Sequence, residues 1–369
     1  MSILNNKFYS LKNILAKDAQ YNMIIGERSN GKTYAVLDYA LKNYCEQHKQ
    51  LAYVRRWQDD FRGKRAPSLF DGHVANGLVA KYTNNRWTNI YYNGGRWYLC
   101  KYINEPNKEQ KRIVDNEPFA YAFSISSMEH DKSTSYPNIT TICFDEFLTR
   151  GMYLPDEFVS FCNVVSTIVR YRTDVKIFML GNTVNKYSPY FSEMGLTNIP
   201  NMVQGTIDVY TYGKSDLKVA VEYSDTKSKS KPSDVYFAFN NPKLQMITSG
   251  VWEVDIHPHC PYKYRPCDII FNYFIVFGND TLQADVVQVD DILFTFIHRK
   301  TTPIKNVDTD LIYTSDYNPR YNYARRITRP CNNLQRRIYN YFLTDNVYYQ
   351  DNEVGEIVRN YLLWCESNK

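Results

Sequence analysis

No stretch of this 369-residue chain approaches the ~20 consecutive apolar residues that cross a bilayer. The first residues, Met1 to Phe8, have no signal-peptide core. Together these absences predict a cytoplasmic protein with no membrane partner. The eight cysteines include no C-x-x-C pair, which argues against both a disulfide framework and a zinc ribbon. His257, His259, Cys260 and Cys267 are zinc-ligand types, but their spacing and the intervening prolines read better as a loop. Glycine is scarce, with 15 residues, and no internal repeat is visible.

What is present is a packed globular composition, 44% hydrophobic with 33 tyrosines, in a chain long enough for two cores. The net charge of +5 decides little by itself. Its distribution is more informative. Arg55, Arg56, Arg62, Lys64 and Arg65 crowd one segment. Arg320, Arg325, Arg326, Arg329, Arg336 and Arg337 crowd another that has no acidic residue. Interleaved with Trp57, Phe61, Tyr321 and Tyr323, both are candidates for a phosphate-backbone partner.

The scarce glycines fall where they count. Gly26-Glu27-Arg28-Ser29-Asn30-Gly31-Lys32-Thr33 fills every fixed position of the G-x-x-x-x-G-K-[ST] phosphate loop. Its backbone N–H groups would cradle the α- and β-phosphates of ATP. Lys32 would reach the β- and γ-phosphates, and the Thr33 hydroxyl would ligate Mg²⁺. Tyr21–Ile25 reads as a buried strand leading in. Leu37, Ala40, Leu41 and Tyr44 give the i, i+3, i+4, i+7 stripe of a helix leading out. A phosphate there would also meet the positive end of the helix dipole.

Downstream, Thr140–Phe144 is an apolar run ending in Asp145-Glu146. This is the Walker B arrangement: Asp145 holds Mg²⁺, and Glu146 polarises the water that attacks the γ-phosphate. A helix with the stripe Phe158, Phe161, Cys162, Val165, Ile168 and Val169 follows and ends at Arg170-Tyr171-Arg172. The strand Val175–Leu180 then ends near Asn182, placed to sense the γ-phosphate. Arg170 or Arg172 could act as an arginine finger on a neighbouring copy's nucleotide, or simply complement the helix dipole. Functional candidates at strand carboxyl ends are the mark of an open α/β sheet.

Between these motifs, Asn93-Gly94-Gly95 marks a hairpin inside an insertion or elaboration of the core over residues 66–138. After Thr206–Tyr210 the composition breaks. We expect a first domain over residues 1–212, a linker over 213–234 and a second, α+β domain over 235–369. Strands are expected over 235–239, 250–254, 269–277, 282–289 and 292–297, with helices over 334–342 and 354–364. Asp255, Asp268, Asp280, Asp285, Asp290 and Asp291 sit singly or at turns, a poor pattern for a two-metal nuclease.

The order of motifs resembles the packaging ATPases of phi-29-like tailed bacteriophages, relatives of the large terminase subunits. The resemblance rests on the phosphate loop, on Tyr53-Val54-Arg55-Arg56, and on Lys132-Ser133 ahead of Tyr136-Pro137-Asn138. Phe144-Asp145-Glu146-Phe147, Arg170-Tyr171-Arg172 and Asn182 complete it, within about the first 200 residues. It implies a P-loop NTPase of the ASCE, RecA-like kind with a parallel sheet, followed by an RNase H-like vestigial nuclease domain. It implies an ATPase that drives double-stranded DNA into a preformed procapsid as a pentameric ring. The ring would sit on the portal, transiently, in the host cytoplasm, with packaging RNA as a further partner. By motif position Arg170 would be the trans-acting finger and Lys132 a second trans-acting cation. The C-terminal arginines would contact RNA or DNA. The residues alone leave open a helicase, a phage export ATPase and a small-molecule kinase. The Asp-Glu pair weighs against the kinase, because a water-activating glutamate would waste ATP there.

Overall fold

The computed structural model describes residues 9–103, 110–130, 134–213, 216–225, 252 and 255–367. The chain divides into two compact units. One comprises Met1–Thr149 with Asp156–Trp252, and the other Arg150–Pro155 with Glu253–Lys369.

The first unit is built on nine strands: β1 (Tyr21–Gly26), β2 (Gln50–Arg55), β3 (Asn89–Asn93), β4 (Arg96–Ile103) and β5 (Lys111–Ser124), then β6 (Ile139–Asp145), β7 (Lys176–Asn182), β8 (Ile207–Thr211) and β9 (Lys218–Tyr223). They form one sheet in the order β3-β4-β5-β2-β6-β7-β1-β9-β8. The strands from β5 through β9 in that order run parallel, with antiparallel strands at both edges. Strands covered on both faces must be apolar throughout. Accordingly Met23, Ile24 and Ile25 of β1 and Ile142, Cys143 and Phe144 of β6 are wholly buried. Helices Lys32–Gln47 after β1 and Glu157–Val169 after β6 carry the chain between parallel strands.

The 66–138 stretch is an elaboration of the core rather than an insertion beside it. It supplies β3, β4 and β5, and Trp97 at its centre is wholly buried among Tyr53, Phe61, Phe70 and Tyr92. The indole N–H donates to the Ala66 carbonyl at 2.8 Å, so its one polar atom is satisfied.

The expected linker over 213–234 is corrected at its start. Lys218–Tyr223 is β9, paired in register with β1 from Tyr21↔Val219 to Ile25↔Tyr223. Its uninterrupted buried apolar run is only Val219-Ala220-Val221, set between Lys218 and the buried Glu222 with buried Tyr223 beyond, too short to register as an apolar strand. Glu222 is tolerated there because the Tyr9 hydroxyl donates to its carboxylate. Residues 226–234 lie outside the described residues.

The second unit has a six-stranded sheet of β10 (Ile269–Phe277), β11 (Asp280–Val289), β12 (Ile292–Arg299), β13 (Ile312–Thr314), β14 (Tyr323–Ala324) and β15 (Val347–Tyr349). The order is β14-β13-β10-β11-β12-β15. β10, β11 and β12 form an antiparallel meander, with Gly278 at φ +59° in its first turn. β13 is parallel to β10, β14 to β13 and β15 to β12. Helices Asn333–Leu343 and Asn352–Ser367 follow. The expected strands over 235–239 and 250–254 lie outside the described residues, apart from residue 252.

Several aspartates of this unit are held by separate partners. Asp280 pairs with Arg299 at 2.7 Å, and Asp268 with Arg265. Among the described residues no three His, Cys, Asp or Glu side chains converge to hold a metal ion. Asp285, buried in the middle of β11, accepts from Gln283 Nε2 at 2.8 Å and Asn272 Nδ2 at 3.2 Å, and lies 3.3 Å from His298 Nε2. Burial opposes its charge, but the bonds from His298 and Gln283 hold its carboxyl below the usual range, and the same contact raises His298. The aspartate's share of stability is complete above its unfolded pKa and lost as pH falls. The histidine's share is complete below its own unfolded pKa and lost as pH rises. Both are present between about pH 4 and about pH 6.5. Asp285→Asn should therefore destabilise the protein by about 2 kcal/mol in that window and flatten its pH profile. Thermal melts from pH 4 to 9 check this.

Candidate nucleotide-binding site

The phosphate loop leaves the end of β1, turns at Ser29 (φ +61°) and Gly31 (φ +92°), and starts the helix at Lys32. Positive φ is easy for glycine and strained for Ser29, so the loop needs bracing. Asn30 provides it. Its Oδ1 accepts from the Lys32 N–H at 3.2 Å, and its Nδ2 donates to Ser224 Oγ at 3.0 Å. The Asn30 carbonyl accepts from the Tyr9 N–H at 2.9 Å. At Gly26 a Cβ would fall 2.1 Å from Ser224 Oγ, so no larger residue fits against this brace. Glu27 and Arg28 lie at the accessible rim of the loop.

Lys32 is almost wholly buried. Its Nζ donates to the Glu27 carbonyl at 2.6 Å, to the Gly26 carbonyl at 3.4 Å and to Asn182 Oδ1 at 3.3 Å. Burial pushes the ammonium down to about 8, against the pull of Asp145 and Glu27. Asn182 reaches the loop because β7 lies beside β1, with Gly26↔Asn182 in register.

One strand, β7, separates loop-bearing β1 from β6, whose end carries Asp145. The Thr33 hydroxyl donates to both Asp145 oxygens at 3.2 Å, and the Tyr53 hydroxyl donates to Asp145 Oδ2 at 2.8 Å. Burial pushes the Asp145 carboxyl above the usual range, opposed by Arg55 and Tyr53. A buried carboxylate short of positive charge beside a threonine hydroxyl is a hard-oxygen donor pair of the type Mg²⁺ takes along with nucleotide phosphates and water. The residues fit that ion.

Glu146 follows with φ +59°, an uncommon conformation for a non-glycine residue. Its side chain is 58% exposed, and Oε2 accepts from Arg55 Nη2 at 2.6 Å. Arg55 also lies 3.3 Å from Asp60 and 3.8 Å from Asp145. Arg56 is buried, with Nε 2.8 Å from Glu157 and Nη2 donating to the Phe147 carbonyl at 2.7 Å. These two arginines therefore serve the site internally, correcting their reading as part of a basic surface. Tyr53 and Arg55 are the functional neighbours that sequence reasoning missed. The trace was Tyr53-Val54-Arg55-Arg56 at a strand end, but only the sheet order shows that this end abuts Asp145 and Glu146.

Arg170 and Arg172 separate clearly. Arg172 donates to the carbonyls of Pro137 (2.8 Å), Ile139 (2.6 Å), Ile168 (3.0 Å) and Tyr136 (3.3 Å), which makes it a cap for the helix end. Arg170 is exposed, makes one 3.2 Å bond to the Thr134 carbonyl, and has φ +52°, ψ −115°. With the Arg172 N–H bonding the Val169 carbonyl at 3.0 Å, that is the first central position of a type II′ turn, where glycine is preferred. Strain at a non-glycine residue is a mark of functional positions. Lys132 lies outside the described residues. In the second unit Arg320, Arg325, Arg329, Arg336 and Arg337 are exposed and Arg326 half-buried. Arg320 pairs with Asp308, and Arg325 lies over the Trp364 ring.

A phosphate loop at the end of one parallel strand, with an acidic pair two strands away, defines a P-loop-like α/β nucleotide-binding protein. A model of the Podovirus DNA encapsidation protein (Gp16) family matches residues 4–72 and 104–320, more than half of the chain, and this protein belongs to that family. The DNA packaging proteins of Bacillus phages PZA and phi29 are each 26% identical to it over 227 residues, or 61% of this chain. The match spans 60% of the length of these relatives. Among solved structures, the phi-28 gp11 DNA packaging motor covers 99% of this chain and is itself covered to 99%, with a TM-score of 0.54 at 17% identity. The phi-29 viral genome packaging motor assembly covers 98% of this chain and is covered to 100%, with a TM-score of 0.53 at 21% identity. At these identities the likeness is one of fold. No described helix is long and apolar enough to cross a membrane.

Two outcomes follow from the geometry. Because Lys32 loses its proton near pH 8, ATP affinity measured by calorimetry should fall about tenfold between pH 7 and pH 9. Replacing Arg170 by glycine should relieve the strained turn and raise stability by about 1 kcal/mol, read as a higher melting temperature.

Proposed function

We propose that this protein is an ATP-hydrolysing motor that moves double-stranded viral DNA into a preformed procapsid. It would work as a homo-oligomeric, pentameric ring at the portal in the host cytoplasm. The observation that carries the hydrolytic part is the acidic pair Asp145-Glu146 on the strand one removed from the phosphate loop, with Glu146 aimed outward in an arginine's grip. This order supports the ASCE reading. The transport part rests on membership of the DNA encapsidation family and on the packaging proteins it resembles.

In this reading the triphosphate takes the N–H groups of residues 26–33, and Lys32 exchanges its loop carbonyls for β- and γ-oxygens. Mg²⁺ bound with the nucleotide, between Thr33 and Asp145, would supply charge to offset those oxygens. Arg55 occupies Oε2 of Glu146, so a water can be polarised from that oxygen only once Arg55 has left it. Leaving Arg55 is thus the step that arms it, and its exposed side chain is free to swing. Asn182, bonded to Lys32, senses the γ-phosphate through the same ammonium. Arg170 of an adjacent copy, with Lys132, would stabilise the charge developing on the γ-phosphoryl. Loss of phosphate removes what closed the interface, and the copies move apart.

The second unit's meander with β13 and β14 added parallel beside β10 supports an RNase H-like, vestigial nuclease fold. Its exposed arginines, Arg320, Arg325, Arg329, Arg336 and Arg337, with half-buried Arg326, suit the backbone of DNA or packaging RNA. Such contacts are independent of sequence and weaken as salt rises.

A mixing experiment tests the shared site. Glu146→Gln and Arg170→Ala subunits should each lack ATP turnover, and mixed rings should recover part of it. No rescue in rings shown to assemble would sink the inter-subunit site. Lys32→Ala protein that still filled procapsids would sink the motor itself.

A further inference from the structure

Between Glu146 and the helix that starts at Glu157, the chain makes an excursion. It leaves the first unit after Thr149, gives Arg150–Pro155 to the second unit, and returns at Asp156. Both stems of this excursion are held by one side chain. Arg56 donates to the carbonyls of Glu146 (3.3 Å) and Phe147 (2.7 Å) on the outgoing stem, and pairs with Glu157 (2.8 Å) on the returning one. Glu157 is itself buried and accepts from the Tyr190 hydroxyl at 2.7 Å. The outgoing stem is further fixed by the Phe147 N–H bond to the Leu180 carbonyl at 3.1 Å. Phe147 and Leu148 pack so closely on Gly181 that a Cβ there would lie 2.9 Å from each.

The tip is also held by contacts within the second unit. Arg150 Nη2 lies 2.8 Å from Glu356 and 2.5 Å from Asp255, and the Arg150 carbonyl accepts from Arg359 Nη2 at 2.7 Å. Glu356 is 4% exposed and also accepts from the Asp255 N–H at 2.9 Å and lies 3.3 Å from His257 Nε2. These contacts hold its carboxyl below the usual range despite burial. His257 fits against Gly355, where a Cβ would collide with its ring. A surface ion pair would be weak and easily exchanged. A buried carboxylate with an arginine, a histidine and a backbone N–H around it is costly to break. His257, one of the zinc-type residues of the sequence, is used here.

We propose that residues 147–150 form a short strut, and that Arg150 is the positioning residue through which the nucleotide site drives the second unit. Only three peptide links join Phe147 to Arg150, about 10 Å at full extension, so there is little slack to absorb a shift of the Glu146 main chain. When Glu146 leaves Arg55, the movement passes along the strut to the C-terminal helix that carries Glu356. The inference rests on the motor reading and specifies how its hydrolytic site is coupled to work.

The test compares wild-type protein with Arg150→Met and with a two-glycine insertion between Thr149 and Arg150. The insertion adds up to about 7 Å of slack and leaves the side chains of the clamp in place. Both variants should hydrolyse ATP within about twofold of wild type while DNA packaged per ATP falls at least about fivefold. Arg150→Lys should recover part of the loss, since it keeps one charged donor. An insertion variant that packages as much DNA per ATP as wild type overturns the strut. So does one in which hydrolysis and packaging fall in step, or loss of folding in both variants, because the contacts would then serve stability alone. Wild-type protein that hydrolyses no ATP or packages no DNA counts against the motor reading instead.

Discussion

The carboxylate of Asp145 is the charge around which the first unit is arranged. It is almost wholly buried, an expensive place for an anion, and it is tolerated because three donors from two other elements converge on it. Thr33 comes from the loop helix, and Tyr53 and Arg55 from β2. Even so, burial leaves its acid form favoured beyond the ordinary range. That residual imbalance suits the pocket to the divalent cation proposed for it rather than to a finished salt bridge. A site fully neutralised by its own arginine would have no use for one. Arg55 stands 3.8 Å from Asp145 but 2.6 Å from Glu146, so its charge goes mainly to the neighbour.

This division of labour requires the sheet order. β6 lies between β2 and β7, and β7 beside β1, so the ends of four parallel strands deliver Arg55, Asp145, Asn182 and the loop to one rim. The individual motifs were legible in the sequence because each has a local signature: glycine spacing for the loop, an apolar run ending in two acids for β6, a helical stripe before Arg170. Meander strands β10 to β12 were legible for the same reason, since their apolar runs are long and bounded by turn residues. Strand adjacency has no local signature. Tyr53 and Arg55 therefore looked like the end of a strand and part of a basic cluster. β9 escaped for a related reason. Its three consecutive buried apolar residues stand between a lysine and a buried glutamate, and the glutamate is acceptable only because Tyr9, more than two hundred residues away in sequence, donates to it. For Arg172 the helix end was one of two readings, and the sequence could not choose between them, because its partners are carbonyls, which leave no trace in a sequence.

Backbone strain adds an independent line. Glu146 and Arg170 are non-glycine residues at positive φ, each at the end of an element and each exposing a charged side chain. Glycine would be easier at either place. In a chain that has few glycines but puts them at other turns, retaining a charged side chain where the backbone resists it points to work done by the side chain. Asp156, also at positive φ, lies where the chain re-enters the first unit and turns directly into Glu157, the carboxylate that Arg56 holds.

Arg55 and Arg56 then explain why two adjacent arginines end β2. Successive residues of an extended strand point to opposite sides. Arg55 turns to the carboxylates of Asp145 and Glu146, where a transferable ion pair can be made and broken. Arg56 turns to main-chain carbonyls and a buried glutamate, where several donors are satisfied at once and nothing is exchanged. Only a guanidinium has the fork to span two carbonyls and a carboxylate together, since a lysine ammonium is a single point. One strand end thus carries both a contact built to break and a contact built to last. The residue between them in space, Glu146, has its carboxylate on the first and its carbonyl on the second. Because Arg56 holds the Glu146 and Phe147 carbonyls together, a shift of the Glu146 main chain would carry Phe147 with it toward Arg150.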